Sequence, residues 1–161
     1  MLFSKACEYG IRAALYVAAQ PTDGYTSVKD ISERLGISFT FLAKIAQTLK
    51  QAGLLRTIRG PQGGIALARP ASEIRLIEVV RAIDGNDLFT ACALGLPGCG
   101  HRTPCPLHAD WAVARARVTT MLEDATLGSV SEDILTRGLR LSDPDLRASA
   151  STVAPVPVGA A

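Results

Sequence analysis

The chain is poor in the residues on which most catalysis depends. Histidine occurs only twice, as His101 and His108, and nowhere outside that short stretch. General acid–base and nucleophilic sites need paired acids, bases and an activated nucleophile. No catalytic residue is assigned, and an enzyme is not expected. Long apolar runs are missing too: the longest, Ala13 to Ala19, falls far short of the roughly 20 residues of a membrane helix. Glu8 and Arg12 interrupt the amino-terminal stretch, so no signal peptide is visible. A cytoplasmic protein without membrane association is expected, and that reducing compartment favours metal thiolates over disulfides.

Charge is scarce overall, at a net +2, but unevenly spread. Up to residue 75, ten Lys and Arg stand against five Asp and Glu, an excess of +5, and the remainder carries −3. A basic amino-terminal part joined to a mildly acidic remainder suits a polyanion-binding module attached to a sensing or assembly region.

Cysteine is rare and concentrated. Three of the four, Cys92, Cys99 and Cys105, share one Gly- and Pro-rich loop with both histidines. Such a loop has no helical or strand period and cannot fold by burying apolar surface, so a bound metal centre is expected to hold it. Six residues separate Cys92 from Cys99, five separate Cys99 from Cys105, and two separate Cys105 from His108. Zinc knuckles place paired ligands closer together, so the spacing leans towards an iron–sulfur cluster, with zinc as the alternative. Pro106 reads as the first residue of a helix capped by Cys105, which would put that thiolate and His108 at a positive helix end. Cys7, on an apolar helical face, reads as a core residue.

A helix is expected over Ser4–Ala19, with Ser4 as cap and Phe3, Cys7, Gly10, Ile11, Ala14 and Ala18 on one face. Pro21–Gly24 makes a turn. Ser27 to Asp30 opens a short helix that Gly36 ends, and Ser38 caps a second, with Leu42, Ile45, Ala46 and Leu49 inward, that stops at Gly53. Together they form a helix-turn-helix. The outer face of the second presents Ser38, Thr40, Ala43, Lys44, Gln47 and Lys50, groups suited to base edges and phosphates. Leu54–Ile58 and Ile65–Leu67 then read as strands of a hairpin, the wing. Its loop carries Arg59, Gly60, Gly63 and Gly64, where glycines permit close approach and an arginine can enter a narrow minor groove. Double-stranded operator DNA is the expected partner.

A further helix is expected from Ser72 to Gly85, and a long one after His108. On the long helix Trp111, Ala114, Val118, Met121 and Ala125 alternate by three and four, the seam of a helix that packs along its copy. Two recognition helices about 34 Å apart read successive major-groove faces, so a homodimer is expected. The expected fold is mainly α with a small β wing, a winged helix-turn-helix followed by a long dimerisation helix. The expected units are a DNA-binding domain over 1–84, the cysteine-rich loop over 85–108, the dimerisation helix and a short helix over 109–140, and a disordered tail over 141–161.

With these residues placed, the chain resembles the iron–sulfur regulators of the Rrf family of bacterial winged-helix transcription regulators. The resemblance runs from Met1 to about Leu135. It rests on Ser4–Ala13, on Arg59-Gly-Pro-Gln-Gly-Gly64, and on the loop that closes with Cys105-Pro-Leu-His108. It implies a dimeric repressor or activator in which Cys92, Cys99 and Cys105 hold the cluster, a [2Fe–2S] cluster in preference to [4Fe–4S]. The fourth ligand in such proteins is either a histidine shortly after the third cysteine, here His108, or a carboxylate on the partner's first helix, here Glu8. His108 is preferred because it needs no help from the partner. The expected function is a regulator whose DNA affinity is switched by the cluster, sensing redox state, nitric oxide or cluster supply. The alternatives are a winged-helix regulator with a structural zinc or thiol-redox loop, an electron carrier and a partner-binding protein.

Overall fold

The computed structural model describes residues 2–20, 24–60, 63–100 and 102–142. Ser4 starts the fold as expected: its hydroxyl accepts the Cys7 N–H at 3.1 Å and opens helix α1 (Lys5–Ala18). The expected face of α1 is too narrow. Ala13, Leu15 and Val17 are buried beside Cys7, Gly10 and Ala14, because helices α2, α3, α4 and α7 and the wing all pack on it. The small side chains of α1 let these neighbours approach from several sides.

Helix α2 (Val28–Leu35) is capped by the Ser27 hydroxyl, which accepts the Asp30 N–H, and is ended by Gly36 at φ 63°. That left-handed turn suits a residue without Cβ and aims the chain into helix α3 (Phe39–Gln51). Ser38 precedes α3, but its hydroxyl makes no capping bond, unlike the expected cap. The inward stripe of α3 is Leu42, Ile45, Ala46 and Leu49, as expected. The turn at 21–24 lies largely outside the described residues.

Strands β1 (Leu55–Ile58) and β2 (Gly64–Leu67) form the antiparallel wing, with Leu55 opposite Leu67 and Ile58 opposite Gly64. Thr26, just before α2, adds a further rung: it donates to the Ile65 carbonyl at 2.8 Å and accepts the Ile65 N–H at 2.9 Å. A Cβ on Gly64 would strike the Thr26 carbonyl. Gly64→Ala is therefore expected to lower stability by about 1–3 kcal/mol, the usual cost of overpacking, measured by denaturant unfolding; an unchanged midpoint would contradict this register.

The helix expected from Ser72 begins later. A 3-10 turn covers Ala71–Glu73, Ile74 is extended, and α4 runs over Leu76–Asp84. The break has a tertiary cause. Leu76 donates to the Ala125 carbonyl (2.9 Å) and Leu127 to the Ile74 carbonyl (2.8 Å), a short antiparallel bridge between distant segments. After a short α5 (Asp87–Thr90) and the cysteine loop come α6 (His108–Asp124) and α7 (Leu127–Arg137). Helix α7 packs on α1 and the 3-10 turn, with Leu127 in one core with Ile31, Leu42, Leu49 and Ile65. The end of the expected 109–140 unit is thus built into the core of the winged unit. A second cluster joins Cys7, Ile77, Val80 and Leu122, with Val118 against it, and seats α6 on α4 and α1. Among the described residues no helix is long and apolar enough to cross a membrane. Of the expected tail, 143–161 lie outside the described residues.

Candidate metal centre and nucleic-acid interface

Helix α3 and the wing border one groove, lined among others by Lys29, Phe39, Ala43, Gln47, Ile58 and Gly60. Ser38, Thr40, Lys44, Gln47 and Lys50 are exposed, and Ala43 is half-buried in the groove. At the wing, Arg59 and Gly60 are exposed. Gly63 is packed against the carbonyls of Ile58 and Gly60, and Gly64 is buried against Thr26. The last two glycines thus serve the internal fit of the wing. Phe39, 54% exposed at the start of α3, went unread in the sequence. Its signal was an aromatic residue one turn ahead of the buried stripe.

The cysteine loop hangs between α5 and α6. Pro106 is not the first helical residue and Cys105 is not the cap. The Cys105 carbonyl accepts the His108 N–H at 3.0 Å, closing a turn, and α6 begins at His108. Within the loop the Sγ atoms of Cys92 and Cys105 lie 3.6 Å apart, and Cys99 Sγ lies 3.7 Å from His108 Nδ1. All four cysteines are free, and Cys92 and His108 are buried. The backbone N–H of Leu94, against the effect of burial, holds the Cys92 thiol below its ordinary pKa, with Leu96, Cys105 and Cys99 assisting. That favours the thiolate, the form that binds metals. Among the described residues no three His, Cys, Asp or Glu side chains form a group for a single metal ion; the Cys92 thiol is in reach of both Cys105 and Cys99, and Cys99 is in reach of His108. His101 lies outside the described residues. Glu8, on α1, is paired with Lys5 at 2.6 Å.

The Rrf2 family profile, described as an iron-dependent transcriptional regulator, matches residues 3–133. The chain belongs to the Rrf2 family. It is 36% identical over 125 residues to the HTH-type transcriptional regulator IscR of Vibrio atlanticus, covering 78% of this chain and 72% of that protein. The IscR of Escherichia coli O1:K1 is 38% identical over 122 residues, covering 76% and 75%. Among solved structures, T. potens IscR superposes with a TM-score of 0.67 at 25% identity, covering 85% of this chain and 90% of that one. CymR, the global cysteine regulator of B. subtilis, superposes at 0.68 with 24% identity, covering 81% and 95%. This Rrf2 protein is accordingly a DNA-binding transcription regulator of the winged-helix type and not an enzyme.

On α6 of this Rrf2 regulator, the five residues expected to form one seam divide. Trp111 is half-buried, its indole N–H on the Ala91 carbonyl at 2.9 Å, and Val118 packs on the Leu122 cluster. Ala114 and Met121 are exposed, while Ala125 lies past the helix end and accepts the Leu76 N–H. The inward stripe is His108, Trp111, Arg115, Val118 and Leu122, helical spacing that includes two polar residues. A search for apolar period alone passes over them and rotates the stripe.

Cys7 is a core residue, as expected. It is fully buried, and burial, with Asp84 adding, pushes its thiol up to about 12. The thiol is thereby held in its protonated form, while the thiolate is the reactive one. Cys7 is expected to stay unalkylated in the folded protein, read by mass spectrometry; labelling at the rate of a free thiol would contradict its placement.

Proposed function

We propose that this Rrf2 regulator acts as a homodimer whose affinity for operator DNA is switched by an iron–sulfur cluster in the 92–108 loop. The gathering of three thiols and one imidazole in a single loop carries this reading, with Cys92 Sγ 3.6 Å from Cys105 Sγ and Cys99 Sγ 3.7 Å from His108 Nδ1. A [2Fe–2S] cluster takes four protein ligands, and three soft thiolates with one imidazole belong to the donor chemistry of such clusters. His108 completes the set within the loop; Glu8 of the partner subunit is the alternative donor. The relatives named IscR and the iron-dependent family description support the same reading.

When bound, the cluster supplies a group that is sensitive to redox state, nitric oxide or cluster supply. The protein's own part is mechanical. Cys105 and His108 fix the first turn of α6, and Val118 and Leu122 carry that position into packing on α4 and α1. Helix α1 touches α3, the DNA-reading helix. Leu107, Val113 and Met121 are 47%, 56% and 55% exposed around α6, apolar surface for a second copy. A cytoplasmic location accords with free thiols.

Sulfurs about 3.8 Å apart also suit a tetrahedral zinc ion with bonds of about 2.3 Å, and the 3.6 Å pair keeps zinc as the second reading. Purification without oxygen decides between them. Brown-red colour with iron and acid-labile sulfide in near-equal amounts is expected; a colourless protein carrying zinc would make the loop structural. Sedimentation as a monomer at micromolar concentration would contradict the dimer.

A further inference from the structure

We infer that Arg115 is a positioning residue that fastens the metal loop to α6 and sets a cation beside one thiolate ligand, an inference that rests on the cluster reading above. One guanidinium nitrogen of Arg115 lies 2.9 Å from the Ala91 carbonyl and 3.8 Å from Cys99 Sγ. The Trp111 indole donates to the same carbonyl at 2.9 Å. Two donors one helical turn apart on α6 thus hold the single carbonyl immediately before Cys92. On its other side, the Ala91 N–H is tied to the Asp87 carbonyl at 2.7 Å, so the peptide entering the loop is fixed to both α5 and α6.

The charge of Arg115 has one evident use. Ion pairs among the described residues engage Lys5, Lys29, Arg69, Arg81 and Arg137, and none engages Arg115. Its guanidinium is turned instead to a carbonyl dipole and a sulfur. In a loaded site a cation there favours the more negative, reduced state. One guanidinium nitrogen meets both acceptors, and the planar group holds its N–H donors in fixed directions, whereas a lysine ammonium rides on a flexible stem. The residue lies on the α6 stripe that runs from His108 to Leu122, so the same side chain touches the loop and rides on the helix that the loop is proposed to move.

The test compares the parent with Arg115→Gln and Arg115→Lys. The loaded proteins are titrated optically for midpoint potential, and the apo proteins are read by the fluorescence of Trp111, the only tryptophan. Arg115→Gln is expected to shift the reduced-to-oxidised ratio about tenfold towards oxidised, a midpoint lower by about 59 mV for one electron. Arg115→Lys, which keeps the charge, is expected to recover most of that shift. In the apo protein both variants are expected to increase quenching of Trp111 by acrylamide, because the loop is held by one donor fewer. A parent that takes up no cluster overturns the cluster reading and the tuning with it. A loaded parent and a loaded Arg115→Gln with equal midpoints overturn this inference alone. If Arg115→Gln loses its cluster while its apo form keeps the parent Tm, rescue by Arg115→Lys upholds the role and failure of rescue overturns it.

Discussion

Cys99→Ala is expected to lower the cluster content of anaerobically purified protein by more than tenfold. Loss of mere supporting residues around metal sites typically costs about 10–100-fold in affinity, and Cys99 is a proposed ligand. It stands 3.7 Å from His108 and accepts from Arg115. Its removal takes away one proposed thiolate ligand and the sulfur end of the Arg115 contact. The response to loading should vanish with it, so that loaded and apo preparations of the variant bind DNA equally. Iron and sulfide analysis with visible absorption checks the first part, and a binding titration the second. Cys7→Ala is the control: buried among Ile77, Val80 and Leu122, it is expected to cost stability while keeping the cluster. A coloured Cys99→Ala protein with parental iron content would remove Cys99 from the ligand set.

The second large effect is expected at the wing. Arg59→Ala should weaken operator binding by about 1–3 kcal/mol if Arg59 reads a base edge, with relaxed specificity at that position. If it meets a phosphate, binding weakens alike on all sequences, and the slope of log affinity against log salt falls by about 0.9. Arg59 is exposed at the wing beside the α3 groove, and no ion pair among the described residues holds it back. Fluorescence anisotropy at several salt concentrations distinguishes the two outcomes. Unchanged affinity and slope would mean that the Arg59 side chain does not touch DNA.

Local signals in the sequence were read well where one residue decides an element. Ser4 and Ser27 start helices with their hydroxyls, and Gly36 ends one in a left-handed turn. The hairpin follows from short apolar runs around a glycine-rich loop, with each strand within one residue of its expected bounds. What the sequence hid depends on partners far along the chain. The helix expected at Ser72 waits until Leu76 because residues 74–76 bond to 125–127, a pairing that no local propensity announces. Ser38 has the right identity for a cap, yet its hydroxyl makes no such bond.

The candidate site was legible as composition and not as geometry. Three cysteines and His108 in one loop are visible at once, but the contacts among them are set by the turn at Cys105 and by the helix that starts at His108. Arg115 is hidden from an apolar pattern because it is polar. Its spacing from His108, two helical turns, was the signal that places it on the metal side of α6.

Loading the loop is proposed to change DNA affinity. Its most direct measurement is anisotropy titration, without oxygen and at fixed salt, of loaded and apo forms of one preparation against duplexes enriched from a random-sequence pool by each form. A ratio between about 5 and 150 on at least one duplex, the span of typical coupling free energies of 1–3 kcal/mol, is predicted. Equal affinities of the two forms on every enriched duplex would contradict the account.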